Sequence, residues 1–266
     1  EERRERGRPD ARAAVLARRH GDDVSAALVT APDFEHRLAA APLYDMLRLA
    51  LETFGDRVRV ACSFGVEDMV IVHEAARAGR DAGVSPSVFM LDTGRLHQET
   101  FDLLDRVRSR YDLAVDVYAP DTALVQDLVR RSGPNAFYAS IDDRRACCAV
   151  RKIEPLGRAL AGAAAWVTGL RREQSPTRAE IARVEHDERG LLKLSPLADW
   201  TEDDVWKFAR DSGVPTHALH ARGYASIGCA PCTRPIEPGE PVRAGRWWWE
   251  DPQHKECGLH RKGGAK

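Results

Sequence analysis

With 266 residues and 43% hydrophobic content, the chain can bury a substantial core without disulfide staples. A net charge of -1 excludes a global drive toward nucleic acid or an anionic membrane, so anion binding must come from local clusters of Arg and Lys. No apolar run approaches the length of a membrane span and the first residues lack a signal-peptide core; the location expected is cytoplasmic, where six cysteines serve as ligands, nucleophiles or inert packing and not as structural disulfides.

Residues 1–32, opening Glu1-Glu2-Arg3-Arg4-Glu5-Arg6, are charged and unpatterned and are expected to form a flexible extension. Residues 33–266 are expected to form a single domain. Apolar residues at helical spacing from Phe34 to Phe54 (Leu38, Tyr44, Leu47, Leu51) predict one helix packed on a strand at 58–61. Short apolar strands then alternate with longer helical segments: a helix near 66–78, a strand at 88–91, a helix over 98–111 and a strand at 113–118. Such alternation predicts an α/β fold, a doubly wound, mostly parallel sheet with helices on both faces. A further helix is predicted over 144–160, a strand at 165–169, a strand or hairpin around 190–194 and a helix over 202–211 capped by Thr201. From Val214 onward Gly and Pro dominate, which predicts an ordered but irregular tail wrapping the domain.

In an open parallel sheet, ligands bind beyond the carboxyl ends of the strands, where loops and helix N-termini present free N–H groups. Three loops here have suitable chemistry. Ser63-Phe64-Gly65-Val66-Glu67-Asp68 closes the first strand and opens a helix, so its backbone donors and the Ser63 hydroxyl can cradle a phosphate or sulfate. Leu91-Asp92-Thr93-Gly94-Arg95 places a carboxylate, a hydroxyl and a guanidinium at the same edge. Thr168-Gly169-Leu170-Arg171-Arg172 offers paired arginines that can grip an anion bidentately. Each has an ordinary alternative: a ligand-free turn, a helix cap at Asp92, a solvated arginine pair. Three at successive strand ends favour an anion site.

The cysteines fall into two pairs and two singletons. Ala146-Cys147-Cys148-Ala149-Val150-Arg151-Lys152 sets vicinal thiols beside two cations, and Cys229-Ala230-Pro231-Cys232 supplies a spaced pair. Adjacent side chains on a helix diverge, so they do not easily occupy two corners of one tetrahedral zinc. An iron–sulfur cubane relaxes that demand, because each thiolate binds a different iron; zinc or buried apolar thiols are the alternatives. A four-thiolate cubane is negatively charged, and Arg151 and Lys152 meet its need for cations. Cys62, on the first strand, reads as buried and inert. Cys257 stands apart in Glu256-Cys257-Gly258-Leu259-His260.

Together these residues resemble the assimilatory sulfonucleotide reductases, specifically the bacterial adenylylsulfate (APS) reductases of the iron–sulfur type. The resemblance runs from about Ala61 to His260. It rests on the three strand-end loops, Cys147-Cys148, Ser226-Ile227-Gly228-Cys229, Cys232-Thr233, Arg243-Ala244-Gly245-Arg246-Trp247-Trp248-Trp249-Glu250 and Glu256 to His260. It implies a fold like that of the ATP pyrophosphatases and a [4Fe-4S] cluster on Cys147, Cys148, Cys229 and Cys232. It further implies Cys257 as nucleophile on a mobile C-terminal segment, about 235–266, with Lys152 and His260 as its catalytic companions. The substrate set implied is Ser63, Phe64, Gly65, Asp68, Leu91, Asp92, Thr93, Gly94, Arg95, Gly169, Arg171, Arg172, Arg243 and Arg246. The activity implied is thioredoxin-dependent reduction of APS to sulfite and AMP. Val66-Glu67-Asp68-Met69 lacks the second Gly and the Ser that ATP pyrophosphatases carry after this turn, which argues against adenylation chemistry. Reductases of the 3′-phosphorylated nucleotide (PAPS) generally lack both cysteine pairs, so PAPS or dual use is the runner-up. An iron–sulfur redox sensor is the alternative from another class, and a lone Cys257 beside a nucleotide site counts against it. Homo-oligomerisation is left open.

Overall fold

The computed structural model describes residues 32–259, so the expected N-terminal extension and His260 lie outside the described residues. Its sheet is formed by β1 (Val58–Ala61), β2 (Ser87–Leu91), β3 (Val115–Tyr118), β4 (Ala165–Val167), β5 (Val184–His186) and β6 (Leu192–Leu194), in the spatial order β3-β2-β1-β4-β6-β5. Neighbours run parallel except for the β5–β6 hairpin. Among the described residues no helix is long and apolar enough to cross a membrane.

The period-2 geometry of strands explains how one sheet serves two cores. Val58, Val60, Val88, Met90, Ala165 and Val167 face the larger core, covered by α2 (Leu43–Phe54), α3 (Val66–Ala82) and α8 (Glu202–Asp211). The intervening Phe89 and Trp166 turn to the opposite face, where Leu156 and Ala159 of α7 (Glu154–Ala159) pack on them. Helices on both faces of a mostly parallel sheet are what the alternating pattern predicts.

The predicted helix over 34–54 is two helices, α1 (Pro32–Ala40) and α2. Pro42 divides them, because proline has no N–H to donate and its ring disfavours helical geometry in the residue before it. Two further helices, α4 (Gln98–Tyr111) and α5 (Thr122–Ser132), flank β3. Sequence periodicity did not single out α5, whose start is fixed by Asp121 accepting the Leu124 N–H at 3.0 Å. The predicted 144–160 helix starts at Ile141, capped by Ser140, and runs as α6 (Ile141–Cys148), a π-helical turn (Ala149–Ile153) and α7. Thr201 caps α8 as expected, in a reciprocal box with Asp204.

Because β1 has β2 on one side and β4 on the other, the chain leaves the sheet centre in opposite directions. Loops beyond the carboxyl ends of β1 and β4 therefore part and leave a crevice.

Candidate active site

The crevice floor is the loop that joins β1 to α3. Asp68, in the first turn of α3, reaches back so that its carboxylate accepts the Ser63 N–H at 2.6 Å and the Ser63 hydroxyl at 2.7 Å. This tight return holds Phe64 in the left-handed region, at φ 63°, which costs energy for a bulky side chain. Complete burial of the Phe64 ring in the larger core offsets that strain. Burial also lifts the Asp68 carboxyl to about 6, against the Ser63 donors and the Gly169 N–H that favour its charge. The β4 loop closes on the same spot: a Cβ on Gly169 would stand 2.2 Å from Asp68 Oδ1, so only glycine permits this approach. Gly65, at the N-cap of α3, brings no side-chain acceptor to the first-turn N–H groups, and Gly65, Glu67 and Asp68 line the crevice, an arrangement suited to an anion.

Above this floor lies a cavity of about 210 Å³. Lys152, Arg178, Arg243 and Arg246 bring positive charge to it, and Cys257 lines it with them. Arg246 is 7% exposed and spends one nitrogen on the Ile227 carbonyl at 3.0 Å. Its Nε and that of Arg243 are buried without a hydrogen-bond partner among the described residues, donors suited to an anionic ligand. Burial, with repulsion from Arg178 and Arg246, brings the Arg243 guanidinium down to about 9 even though Glu256 opposes the fall. Burial also works against charge on Lys152, but its interactions with the sulfurs of Cys229, Cys257 and Cys148 more than reverse it and hold the ammonium above its ordinary range.

Tail residues 250–259 lie against the domain through α6. Arg144, fully buried, donates to Glu250 Oε1 at 2.6 Å and to the Glu256 and His254 carbonyls, both at 2.9 Å. Leu259 packs on the smaller core beside Phe89 and Trp166.

A second cavity, of about 20 Å³, is lined by Cys147, Cys148, Cys229 and Cys232. Lys152, Cys229 and Trp247 line both cavities and so form the partition between them. Among the described residues no three His, Cys, Asp or Glu side chains are grouped to hold a single metal ion, in keeping with the divergence of vicinal thiols. The donor set nevertheless suits a larger group. Arg151 Nε and Trp247 Nε1, both on this cavity's lining, are buried donors without partners among the described residues. Four cations, Arg144, Arg246, Lys152 and Arg243, stand 4.7 to 6.0 Å from the Trp247 ring centroid. Burial pushes the Cys148 thiol up to about 11 and the Cys232 thiol to about 12. For Cys229 burial is outweighed by Lys152, by the Thr93 hydroxyl at 3.2 Å and by Arg246 and Arg151, and its pKa is lowered. Such a pocket suits a group that binds thiolates.

Of the residues singled out in the sequence, Ser63, Phe64, Gly65, Asp68, Leu91, Thr93, Lys152, Gly169, Arg243, Arg246 and Cys257 line the first cavity. Five do not. Asp92 accepts the Gly94 N–H at 2.8 Å, which turns the loop on itself, and Gly94 lies against Arg151. Arg95 is drawn to the second cavity, where it donates to Asn135 Oδ1 at 3.1 Å and sits over the Phe137 ring. Arg171 is buried and committed to Glu67 at 3.0 Å and Glu173 at 2.9 Å, and Arg172 pairs with Asp199 and the Ile181 carbonyl. The expected grip on an anion by Arg171 or Arg172 is therefore corrected: Arg178, seven residues beyond Arg171, is the arginine of this loop that reaches the cavity. No local pattern distinguished it, since the choice is made by acidic partners distant in sequence.

Comparison with known proteins agrees with this geometry. Residues 57–235 match the family model described as the phosphoadenosine phosphosulfate reductase domain. The chain is 54% identical over 206 residues to adenosine 5'-phosphosulfate reductase of Burkholderia cepacia, covering 77% of this chain and 81% of that one. It is likewise 54% identical over 208 residues to the enzyme of that name from Allochromatium vinosum, covering 78% and 80%. Its fold is similar to that of phosphoadenylyl-sulfate (PAPS) reductase from Candida auris, solved as a phosphate complex, with a TM-score of 0.63 and 24% identity over 77% of this chain and 98% of that one.

Proposed function

Because the chain belongs to the phosphoadenosine phosphosulfate reductase family, we propose that it reduces adenylylsulfate to sulfite and AMP, with Cys257 carrying the sulfur between two displacements. It is an oxidoreductase of sulfate assimilation on an adenine nucleotide alpha-hydrolase-like fold. The observation that carries the mechanism is that Cys257 shares one cavity with the anion-ready loop at Ser63–Asp68 and with Lys152, Arg178, Arg243 and Arg246. A mixed anhydride of sulfate and AMP has an electrophilic sulfur and a good leaving group, and a thiolate is a suitable attacker.

In the first displacement Cys257 Sγ forms a bond to the sulfuryl sulfur. The sulfur–oxygen bond to the nucleotide breaks, and AMP departs with that electron pair, leaving an S-sulfocysteine. The cavity cations offset the charge on the sulfuryl and phosphoryl oxygens. In the second, a dithiol protein such as thioredoxin attacks the Cys257 sulfur and sulfite leaves with the bonding pair. The second thiol of the donor then attacks the mixed disulfide, so Cys257 is restored and the donor becomes the disulfide. For that exchange the tail must swing outward.

We further infer that Cys147, Cys148, Cys229 and Cys232 hold a [4Fe-4S] cluster. Bound there, it would supply negative charge beside the partition. Lys152, on the partition, then presents its ammonium toward the reacting sulfuryl oxygens.

Intact-mass analysis after adding APS without reductant tests the reading. One sulfonate is expected on the peptide containing Cys257, removed by reduced thioredoxin with sulfite release. PAPS run in parallel settles the nucleotide by kcat/KM. Normal turnover by Cys257→Ser, or an adduct on Cys62, overturns the mechanism.

A further inference from the structure

The residue before the nucleophile joins three parts of the molecule. The Glu256 carboxylate faces two arginines that line the substrate cavity: Oε1 lies 3.0 Å from Arg178 Nε, and Oε2 lies 3.2 Å from Arg178 Nη2 and 3.5 Å from Arg243 Nη2. The Thr177 hydroxyl donates to Oε1 at 3.0 Å. At its other end, the Glu256 carbonyl accepts from Arg144 at 2.9 Å, on the helix that carries Cys147 and Cys148. The Arg178 and Arg243 side chains are only 11% and 12% exposed; Arg178 also donates to Gln174 Oε1 and Arg243 to the Lys255 carbonyl, but Glu256 is the carboxylate that faces both. The carboxylate holds Arg178 by two charge-assisted hydrogen bonds and Arg243 as an ion pair at 3.5 Å.

We propose that Glu256 is a positioning residue whose carboxylate is the common counter-ion of Arg178 and Arg243, so that the Cys257 thiol and the two cations meeting the substrate's anionic groups are set in one register. Seating the nucleophile and orienting the cations are then a single event. With Glu256 displaced, the cations remain in the cavity but lose their alignment to the thiol. Glu256 itself touches no reacting atom; it does not line the cavity.

This inference rests on Cys257 being the thiol that takes the sulfuryl group, and the test separates the two. In holoenzyme, the rate of S-sulfo adduct formation in a single turnover is measured for wild type, Glu256→Gln and Glu256→Asp, together with AMP affinity and the melting temperature. Absence of an adduct in wild type refutes the reading of Cys257. Given a wild-type adduct, Glu256→Gln is expected to slow its formation by about 10²-fold, the effect of misplacing reacting groups by an ångström. AMP should bind as tightly or more tightly, because a carboxylate has been removed from beside two cations. Glu256→Asp keeps the charge but cannot span both arginines, and it should fall between the other two. Placed in Arg178→Gln, the Glu256→Gln change should cost no more than about twofold further, since residues acting through one another are non-additive. A wild-type adduct rate in Glu256→Gln, full additivity with Arg178→Gln, or loss of AMP binding in step with a lowered melting temperature would each overturn the proposal.

Discussion

Arg144 Nε and Glu250 Oε1 meet at 2.6 Å, with side chains 1% and 3% exposed, and this pair ties the cysteine-bearing helix to the tail that carries Cys257. Removing one partner of a buried pair leaves the other charged and unpaired. Arg144→Met should therefore destabilise the fold by about 3–5 kcal/mol, read as a shift in urea midpoint, and should expose the tail to limited proteolysis after Trp249 before the core unfolds. A midpoint within error of wild type would show that the pair is not a tether.

For the proposed cluster, Cys→Ser at position 147, 148, 229 or 232 should yield protein without iron or acid-labile sulfide, whereas Lys152→Ala should keep both and lose most of its adduct-forming rate. Stoichiometric zinc without sulfide in the anaerobically purified wild type would refute the assignment. Unchanged turnover in Lys152→Ala would remove Lys152 from the chemistry.

Gly169→Ala places a methyl group 2.2 Å from Asp68 Oδ1, where neither the strand nor the buried carboxylate can yield freely. Overpacking of this kind costs about 1–3 kcal/mol, and here it should also spread the β1 and β4 loops. Weaker AMP binding, measured by calorimetry, is expected alongside the loss of stability; normal affinity would mean that the loops bind nucleotide without this contact.

His217 is 1% exposed; its Nδ1 accepts the Leu219 N–H at 3.2 Å, and its Nε2 faces Thr100 Oγ1 at 3.1 Å. Burial, helped by His220 and His97, lowers its pKa from 6.5 to about 4. The unfolded chain therefore binds a proton that the folded chain refuses between these values, and stability falls as pH drops through that window. Urea midpoints measured from pH 7 to pH 4 should fall more steeply in wild type than in His217→Gln, the raised Asp68 carboxyl acting in the opposite sense in both. An equal slope in both would place the acid sensitivity elsewhere.

The sheet was legible because strands buried on both faces read as short apolar runs, and the crevice because turn-forming residues sit where those runs stop. The convergence of Cys147–Cys148 with Cys229–Cys232 was legible from the incompatibility of vicinal thiols with a single tetrahedral ion. Arg178 was not legible beside Arg171, for Arg171 is claimed by Glu67, a residue 104 positions away, and local pattern carries no record of such a partner. Nor could helical periodicity reveal Pro42 dividing one amphipathic stretch into two helices with the same apolar face. Glu256, though part of the motif around Cys257, was given no role of its own because acidic residues beside a tail thiol look like solvated surface until Arg178 and Arg243 are seen on either side.

The π-helical turn at Ala149–Ile153 makes spacing, and not side-chain identity, the sensitive property of that stretch. One residue more than an ordinary helical turn lies between the thiol pair and α7, and the wider ladder lets consecutive residues diverge. Arg151 is sent to the Thr93 carbonyl at 2.7 Å, while Lys152 stands on the partition. Deleting one residue here would let the ladder relax to ordinary α-helical winding, leaving α7 in phase with α6 but changing the phase of Arg151 and Lys152 between them, so that the two cations no longer diverge. Val150→Ala would trim a side chain and leave that phase intact. The chain should therefore tolerate changes of letter in this turn far better than changes of length.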